Sequence, residues 1–265
     1  MNYHNLLNAK RALITGASRG VGRATALLFG KYKMRLGLIA RDIEKLNALA
    51  SEINSTGGEA FAIQCDLSET ESVNHAASCF LKRFGTPDFL INNAGIAVRD
   101  YWRNIDISTE LKITSVNYIA PLLLIRFFLP DMLKQNKGHI ININSIASYY
   151  AAPYQGAYCA SKSALLAYSE SLAYELEKTK VNISNICPGP IDTDFLNGKN
   201  YEKFRKDAGI VKAEQIAEAI LKVIATPEEM IFISPAWKVL ALKIAKFKPS
   251  FFRRIFELKN LSPGK

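Results

Sequence analysis

Tyr158 and Lys162, in the run Tyr158-Cys159-Ala160-Ser161-Lys162, are the residues of this chain whose types and spacing point most directly to acid–base chemistry. Four residues apart in a long apolar stretch of helical periodicity, they share one helix face, an ammonium beside a phenol. At ~5 Å and an effective dielectric of ~20, that charge favours the phenolate by about 3 kcal/mol. This would draw a phenol pKa of about 10 down toward roughly 8. Tyr158 then exchanges a proton near neutral pH. A Tyr-x-x-x-Lys pair also arises by chance as an ordinary surface pair, so its meaning depends on its company.

Upstream, Thr15-Gly16-Ala17-Ser18-Arg19-Gly20-Val21-Gly22 joins a short apolar strand to an amphipathic helix. That is where a phosphate-binding turn belongs in a doubly wound fold. Gly16 permits the tight turn, Gly20 lets a pyrophosphate approach the backbone, and Gly22 allows close packing of helix on sheet, while Ser18, Arg19 and Val21 complete the loop. The spacing is GxxxGxG rather than GxGxxG. At the end of the second strand, Ala40-Arg41-Asp42 stands where such a fold contacts the adenosine ribose. An acid at position 40 would bind a free 2′-hydroxyl. Arg41, with Arg19, instead offers guanidinium to a 2′-phosphate, which favours NADP(H) over NAD(H). The plainer alternative is that both arginines are solvated loop residues, with Asp42 weakening the local field.

These residues need a scaffold, and the chain supplies one. Short apolar, β-branched runs alternate with longer amphipathic stretches, the pattern of repeated βαβ units. Strands are expected at Ala12 to Thr15, Arg35 to Ala40, Glu59 to Gln64, Asp88 to Asn92, His139 to Asn144, Asn182 to Ile186 and Met230 to Ile233. Helices are expected near Val21 to Tyr32, Ile43 to Ser55, Glu71 to Phe84, Ser108 to Lys134 with Pro121 inside, Gln155 to Thr179 and Ala213 to Thr226. The fold class read from this pattern is α/β: a doubly wound, mainly seven-stranded parallel sheet with helices on both faces. Residues 1–234 are read as one catalytic domain, because 265 residues, about half of them apolar, can bury a full core.

In this order the motifs resemble those of the short-chain dehydrogenases/reductases, from Arg11 to about Ile233. Gly16, Gly20 and Gly22 match that family's cofactor turn. Asp66-Leu67 matches its adenine contact, and Asn92-Asn93-Ala94-Gly95 its NNAG segment. Asn117 stands where the family has its catalytic asparagine, Ser145 precedes Tyr158 by the usual interval, and Pro188-Gly189-Pro190-Ile191-Asp192-Thr193 looks like its nicotinamide-carboxamide segment. The resemblance implies that Ser145 polarises a substrate carbonyl and Tyr158 protonates the developing alkoxide while a nicotinamide delivers hydride. It further implies that Lys162 lowers the Tyr158 pKa and holds the nicotinamide ribose, that Asn117 anchors a water relay, and that the protein is a homodimer or homotetramer. Each residue also has a plainer role open to it: Ser145 a helix cap, Asn117 a kink residue before Pro121, Asp66 the N-cap of the next helix. Asn144 replaces a serine often found before the catalytic one, and Cys159 stands where a small residue is usual.

Composition narrows the classes. Cys65, Cys79, Cys159 and Cys187 fall in no CxxC or zinc-ligand spacing, and His4, His75 and His139 are scattered, so no metal is expected. No signal-like segment starts at Met1, and the reading is a reduced, cytoplasmic protein. Of the net charge of +10, the segment from Pro235 onward carries eight Lys or Arg against one Glu, so the body is nearly balanced and nucleic-acid binding has little support. In that tail, residues 235–265, Trp237, Leu240, Ala241 and Ile244 recur at helical spacing among lysines, and Phe251, Phe252, Ile255 and Leu258 follow Pro249. A basic amphipathic pair of this kind suits an anionic membrane surface, a subunit interface or a cover for the substrate pocket. The segment from Asp194 to about Gly209, with Tyr201, Phe204 and four basic side chains, is expected to close over the substrate. The leading reading is an NADP(H)-dependent reductase of a carbonyl/alcohol substrate, lipophilic or a ketoacyl thioester. A non-catalytic NADP(H)-binding sensor or membrane-associated scaffold stays open, with the intact Asn117, Ser145, Tyr158 and Lys162 arguing against it.

Overall fold

The structure, a computed structural model, describes residues 3–191 and 210–235 together with Val239 and Ile244. In chain order the elements are α1 (Tyr3–Leu7), β1 (Arg11–Thr15), α2 (Gly20–Lys31), β2 (Arg35–Ala40), α3 (Ile43–Ser55), β3 (Glu59–Gln64), α4 (Thr70–Phe84), β4 (Phe89–Asn92), α5 (Ile107–Thr114), α6 (Ala120–Lys134), β5 (Gly138–Ile143), α7 (Gly156–Leu176), β6 (Val181–Pro188), α8 (Ala213–Ala225) and β7 (Met230–Ile233). All seven strands pair in parallel in the order β3-β2-β1-β4-β5-β6-β7. The order reverses between β1 and β4, and a crevice opens there at the carboxyl ends of the strands, the ligand position of such sheets. The expected seven-stranded, doubly wound class is the one found.

Helices cover both faces, so the strands are largely apolar: Ile140, Ile141 and Ile143 of β5 are all buried. One layer of the core gathers Phe29, Leu46, Ile53, Ile216 and Ile220 from α2, α3 and α8. The other gathers Phe80, Leu124, Phe128 and Leu172 from α4, α6 and α7. Local chemistry sets the element ends. Asp42 caps α3 by accepting from Lys45 N at 3.1 Å, and Leu46, Leu49, Ala50 and Ile53 form its buried stripe. Chain 107–134 is longer than most helices and by length and composition apolar enough to cross a membrane. Here α6 packs on α4 and α5 on α7, with Leu124, Ile125 and Phe128 fully buried, the position of a core helix.

Several expected bounds shift. The stretch expected as one helix from Ser108 to Lys134 with Pro121 inside stays helical from Ile107 to Lys134, but it carries a π-turn, Ser115–Ile119, just ahead of Pro121, whose missing N–H leaves the preceding turn one bond short; Pro130 is a second proline within it. The helix expected from Gln155 to Thr179 ends at Leu176, because the Thr179 backbone N–H and hydroxyl both turn back onto the Leu176 carbonyl. Strand β6 runs past Ile186 to Pro188, which pairs with Ile233. Asp66 is not an N-cap: the N-cap position of α4 is Glu69, and Asp66 instead accepts from the Ser68 backbone and hydroxyl in a tight local turn. Helix α1 was not expected; Leu7, fully buried, holds it to the core. The segment from Asp194 to Gly209 lies outside the described residues, as does the tail beyond Pro235 apart from Val239 and Ile244.

Asp88, expected as the first residue of β4, lies just before it and ties three strand starts together. It accepts from Arg11 N at 3.0 Å and Arg11 Nε at 2.9 Å, and pairs with Lys137 Nζ at 3.2 Å. Burial pushes its carboxyl up, but the Arg11 and Lys137 contacts outweigh this and hold it below the ordinary value. A depressed carboxylate stabilises the fold above its unfolded pKa and loses that contribution as pH falls through its folded one. Asp88→Asn is therefore expected to cost ~2 kcal/mol at neutral pH, and the gap from wild type should close below about pH 4. Urea unfolding at pH 7 and at pH 3 checks this, and a gap that persists unchanged in acid contradicts it.

Candidate active site

The crevice begins at the β1–α2 turn. Gly16 has φ +68° and Gly20 φ +55°, backbone values that suit glycine. Gly22 is needed for closeness: a Cβ there would lie 2.2 Å from Gly16 O and 2.7 Å from Asn93 Nδ2. Asn93 locks the turn from the neighbouring strand end by donating its amide to Thr15 O at 2.8 Å and Gly16 O at 3.3 Å. Thr15 completes the lock, its hydroxyl accepting from Asn93 N and Ala94 N, both at 3.0 Å. Thr15 opens the same glycine motif, but the locking role of its hydroxyl has no local signal, because both its donors come from the end of β4.

From this turn one cleft of about 580 Å³ extends across the strand ends. Gly16, Ser18, Arg19, Gly20 and Val21 line one part, Arg41, Asp66 and Leu67 another, and Asn93, Ala94, Gly95, Tyr158, Lys162 and Ile191 the rest. The structure thus brings together residues spread over 176 positions of sequence. Gly22 stands behind the turn, and Pro188 and Gly189 close β6, with Gly189 N donating to Ile233 O at 2.9 Å. Thr193 lies outside the described residues. At the second-strand end, Ala40 lines the cleft with no acid in its place, beside Arg41, Asp42 and Lys45. Lys45, missed by motif reading, pairs with Asp42 at 2.9 Å and, with the Lys45 N–H, holds that carboxyl below its ordinary value. Asp66 is likewise held low, chiefly by the Ser68 backbone N–H working against burial, with Lys112 and Arg41 adding positive charge.

At the other end Lys162 is 3% exposed and donates its ammonium to Ile143 O at 2.7 Å. Burial pulls its pKa from the usual 10.5 down to about 8, opposed by the nearby Cys187, whose thiol burial pushes up to about 11. Cys187 is fully buried and behaves as the small apolar side chain expected. Tyr158 lies one turn before Lys162, buried in an apolar cluster with Ala147, Cys159 and Ile113. A Cβ on Gly95 would sit 3.5 Å from Asn117 Oδ1 and 3.6 Å from Lys162 Nζ, so backbone, amide and ammonium converge there. Asn117 lies on the π-turn and faces another strand's loop rather than its own helix: Oδ1 accepts from Ile96 N, and Nδ2 donates to Ile96 O and to Ser161 Oγ at 3.0 Å. Both amide protons are therefore used. Ser161, inside the Tyr158–Lys162 motif, passes the connection on by donating to Tyr158 O. Ser145 caps a short 3-10 turn, Ile146–Ser148, by accepting from Ala147 N at 3.1 Å.

Among the described residues no group of three His, Cys, Asp or Glu is placed to hold a metal. Burial draws His139 down to about 4, and it is bonded to Ser184 Oγ at 2.8 Å, a neutral core histidine.

A parallel seven-stranded sheet, a glycine turn at its switch point and a buried Tyr-x-x-x-Lys pair in the same cleft define a nicotinamide-dependent oxidoreductase architecture. Residues 10–203 match the family model described as short chain dehydrogenase, and the chain belongs to that family of oxidoreductases. It is 32% identical over 232 residues to a 3-oxoacyl-[acyl-carrier-protein] reductase of Synechocystis, covering 86% of this chain and 94% of that protein. It is 31% identical over 274 residues to a dehydrogenase/reductase SDR family protein 7-like of Drosophila melanogaster, covering 97% and 84%. Among solved structures, a short-chain dehydrogenase/reductase from Burkholderia phymatum in complex with NAD superposes with a TM-score of 0.83 at 26% identity, over 92% of this chain and 95% of that one. A metagenomic short-chain oxidoreductase in complex with NADP gives 0.74 at 33%, over 87% and 99%.

The Gly16–Gly22 contact yields an expected outcome. Gly22→Ala should force the turn off Gly16 and Asn93, lowering stability by ~1 to 3 kcal/mol and weakening dinucleotide binding in the same protein. Thermal unfolding with and without NADPH checks both. A variant with wild-type stability and an undiminished cofactor-induced rise in Tm contradicts the packing argument.

Proposed function

We propose that this oxidoreductase is an NADP(H)-dependent carbonyl reductase, with Tyr158 as its proton donor and a lipophilic ketone or ketoacyl thioester as its substrate class. The observation that carries the reading is the buried Lys162, one helical turn from Tyr158 and beside Gly95 in the cofactor cleft. A group there fits a nicotinamide ribose: Gly95 leaves a cradle that a Cβ would fill, and Lys162 supplies a charge-assisted donor. NADPH, when bound, supplies the hydride. Tyr158 gives its phenolic proton to the carbonyl oxygen as that oxygen gains charge, and the alcohol leaves with both hydrogens. Ser145 accepts from Ala147 N, which leaves its hydroxyl proton to aim at the same oxygen. Lys162 favours the phenolate left behind. Asn117, through Ile96 and Ser161, holds the Gly95 loop and α7 together at the point where protons must be replaced.

NADP(H) is preferred on the same footing as from sequence: Ala40 leaves no carboxylate for a 2′-hydroxyl, and Arg41, Arg19 and Lys45 line that end of the cleft. The relative named as a 3-oxoacyl-[acyl-carrier-protein] reductase supports the ketoacyl version. A homodimer or homotetramer belongs to the same reading, with Ile107 and Leu111 of α5 exposed as an apolar face available to it.

Two outcomes are expected. Loss of NADPH absorbance with a panel of ketones and ketoacyl thioesters should show turnover that Tyr158→Phe lowers by ~100-fold or more. A panel with no substrate, or a Tyr158→Phe variant as fast as wild type, defeats the reductase reading. For the cofactor, Arg41→Ala should weaken NADPH binding by ~1 to 3 kcal/mol and leave NADH unchanged, measured by titrating cofactor fluorescence. Wild-type protein that binds both cofactors equally contradicts the preference.

A further inference from the structure

Among the described residues three buried side-chain atoms have no hydrogen-bond partner, Asn92 Oδ1, Asn144 Oδ1 and Ser234 Oγ, and of those three residues Asn144 alone lines the cofactor cleft. It is 3% exposed, so bulk water does not make up the missing bond. The network behind it decides that the free atom is an oxygen. Glu229 O is a carbonyl and can only accept; it takes Asn185 N at 2.8 Å and Asn185 Nδ2 at 3.3 Å. Asn185 must therefore turn its Oδ1 toward Asn144, and Asn144 must answer with its Nδ2, at 2.7 Å. Neither amide can turn over without setting two oxygens against each other. The Asn144 backbone N–H is fixed as well, on Ile186 O at 2.8 Å. Asn144 thus offers the cleft an acceptor that awaits a donor.

Its neighbours in the chain set the end of the cleft to which it belongs. Ile143, before it, receives Lys162 Nζ at 2.7 Å, and Ser145, after it, is extended, with φ −161° and ψ 158°. Successive side chains of extended backbone point to opposite sides, so the Ser145 hydroxyl and the Asn144 amide face opposite ways. Asn144 faces β6 through Asn185, and beyond the end of that strand Ile191 lines the same cleft. A ligand group that meets Asn144 must carry an N–H or O–H and lie to the side of the reacting carbonyl. At the hydride end of a nicotinamide dinucleotide the donors are the ribose hydroxyls, which belong beside Lys162 and Gly95, and the carboxamide N–H.

We infer that Asn144 Oδ1 accepts a hydrogen bond from the nicotinamide carboxamide N–H, and so holds the ring in one of its two orientations about the glycosidic bond. The inference rests on the nicotinamide reading of the cleft given above, whichever of NADP(H) and NAD(H) is preferred. With the ring turned over, the carboxamide swings away from Asn144 and the buried oxygen is left without a donor. The held orientation therefore presents a single face of the ring to the side of Ser145 and Tyr158.

The test compares NADP+ with its 3-acetylpyridine analogue, in which a methyl group replaces the carboxamide nitrogen, by calorimetric titration of the full chain without substrate. Wild type should bind NADP+ about tenfold more tightly, the effect of leaving a buried acceptor without its donor. Asn144→Ser shortens the side chain and withdraws the oxygen. It should bring the ratio within about threefold by weakening NADP+ alone, with the analogue within about twofold of its wild-type affinity. Asn185→Ala frees the Asn144 amide to turn over and should lower the ratio in the same direction, which keeps the test decisive if the serine variant does not fold. Wild type that binds both dinucleotides equally overturns the inference, as does a ratio that neither variant moves. An equal loss of both dinucleotides in the variants is the mark of a merely structural residue and overturns it too. NAD+ and its own 3-acetylpyridine analogue serve in the same way for a chain that takes NAD+. Wild type that binds no nicotinamide dinucleotide defeats the nicotinamide reading and this one with it, whereas tight NADP+ binding with an unmoved ratio defeats this one alone.

Discussion

A buried ammonium must find an acceptor, and in this protein the 2.7 Å bond from Lys162 Nζ to the Ile143 carbonyl meets that demand. The bond joins the first turns of α7 to the last residue of β5, the strand end that leads into Ser145. It thereby sets the height of Tyr158 above the sheet, since Tyr158 is one turn away on the same rigid helix. Lys162 is held near neutrality, at about 8, because burial opposes its charge.

Further along, α7 is fixed by a buried polar chain. Asn92 donates to Asn142 Oδ1 at 2.8 Å, Asn142 donates to Ser169 Oγ at 2.9 Å, and Ser169 bonds back to Leu165 O. Two strands and the helix are thus registered by directional bonds where apolar packing alone would tolerate small slides. Asn144, the departure from the usual serine, joins the same face by donating to Asn185 Oδ1 at 2.7 Å. The π-turn adds a third fixed point, turning Asn117 toward Ile96 and Ser161, so the helix is located from β4, β5 and the α5–α6 junction together.

The cofactor end works by contact distance. With Gly22 against Gly16 O and Asn93 on two successive carbonyls, the β1–α2 turn has little room to move. Its backbone N–H groups are therefore presented in advance, and binding need not order them. Arg19, Arg41 and Lys45 then supply positive charge along the cleft, with Asp42 and Asp66 held ionised among them.

Sequence alone determined the alternation of strands and helices, several element bounds to the residue, and the motif residues of the cleft. It could do so because apolar periodicity, glycine placement and i,i+4 spacing are local properties of the chain. It did not reveal the π-turn, the Asp66 turn, the Thr15 and Lys45 contacts, the Ile143 carbonyl under Lys162 or the hold of Asn185 on Asn144. The Asp66 turn closes locally on Ser68, and the side-chain contacts among the rest depend on partners from 3 to 79 positions away whose approach is set by packing. The pairing of β1 with β4 is the largest such case, bringing Gly16 beside Asn93 and opening the cleft at the reversal of strand order. The chain's periodicity specified that there would be a sheet; only burial of its two faces under α2, α3 and α8 on one side and α4, α6 and α7 on the other decided which strand ends would meet.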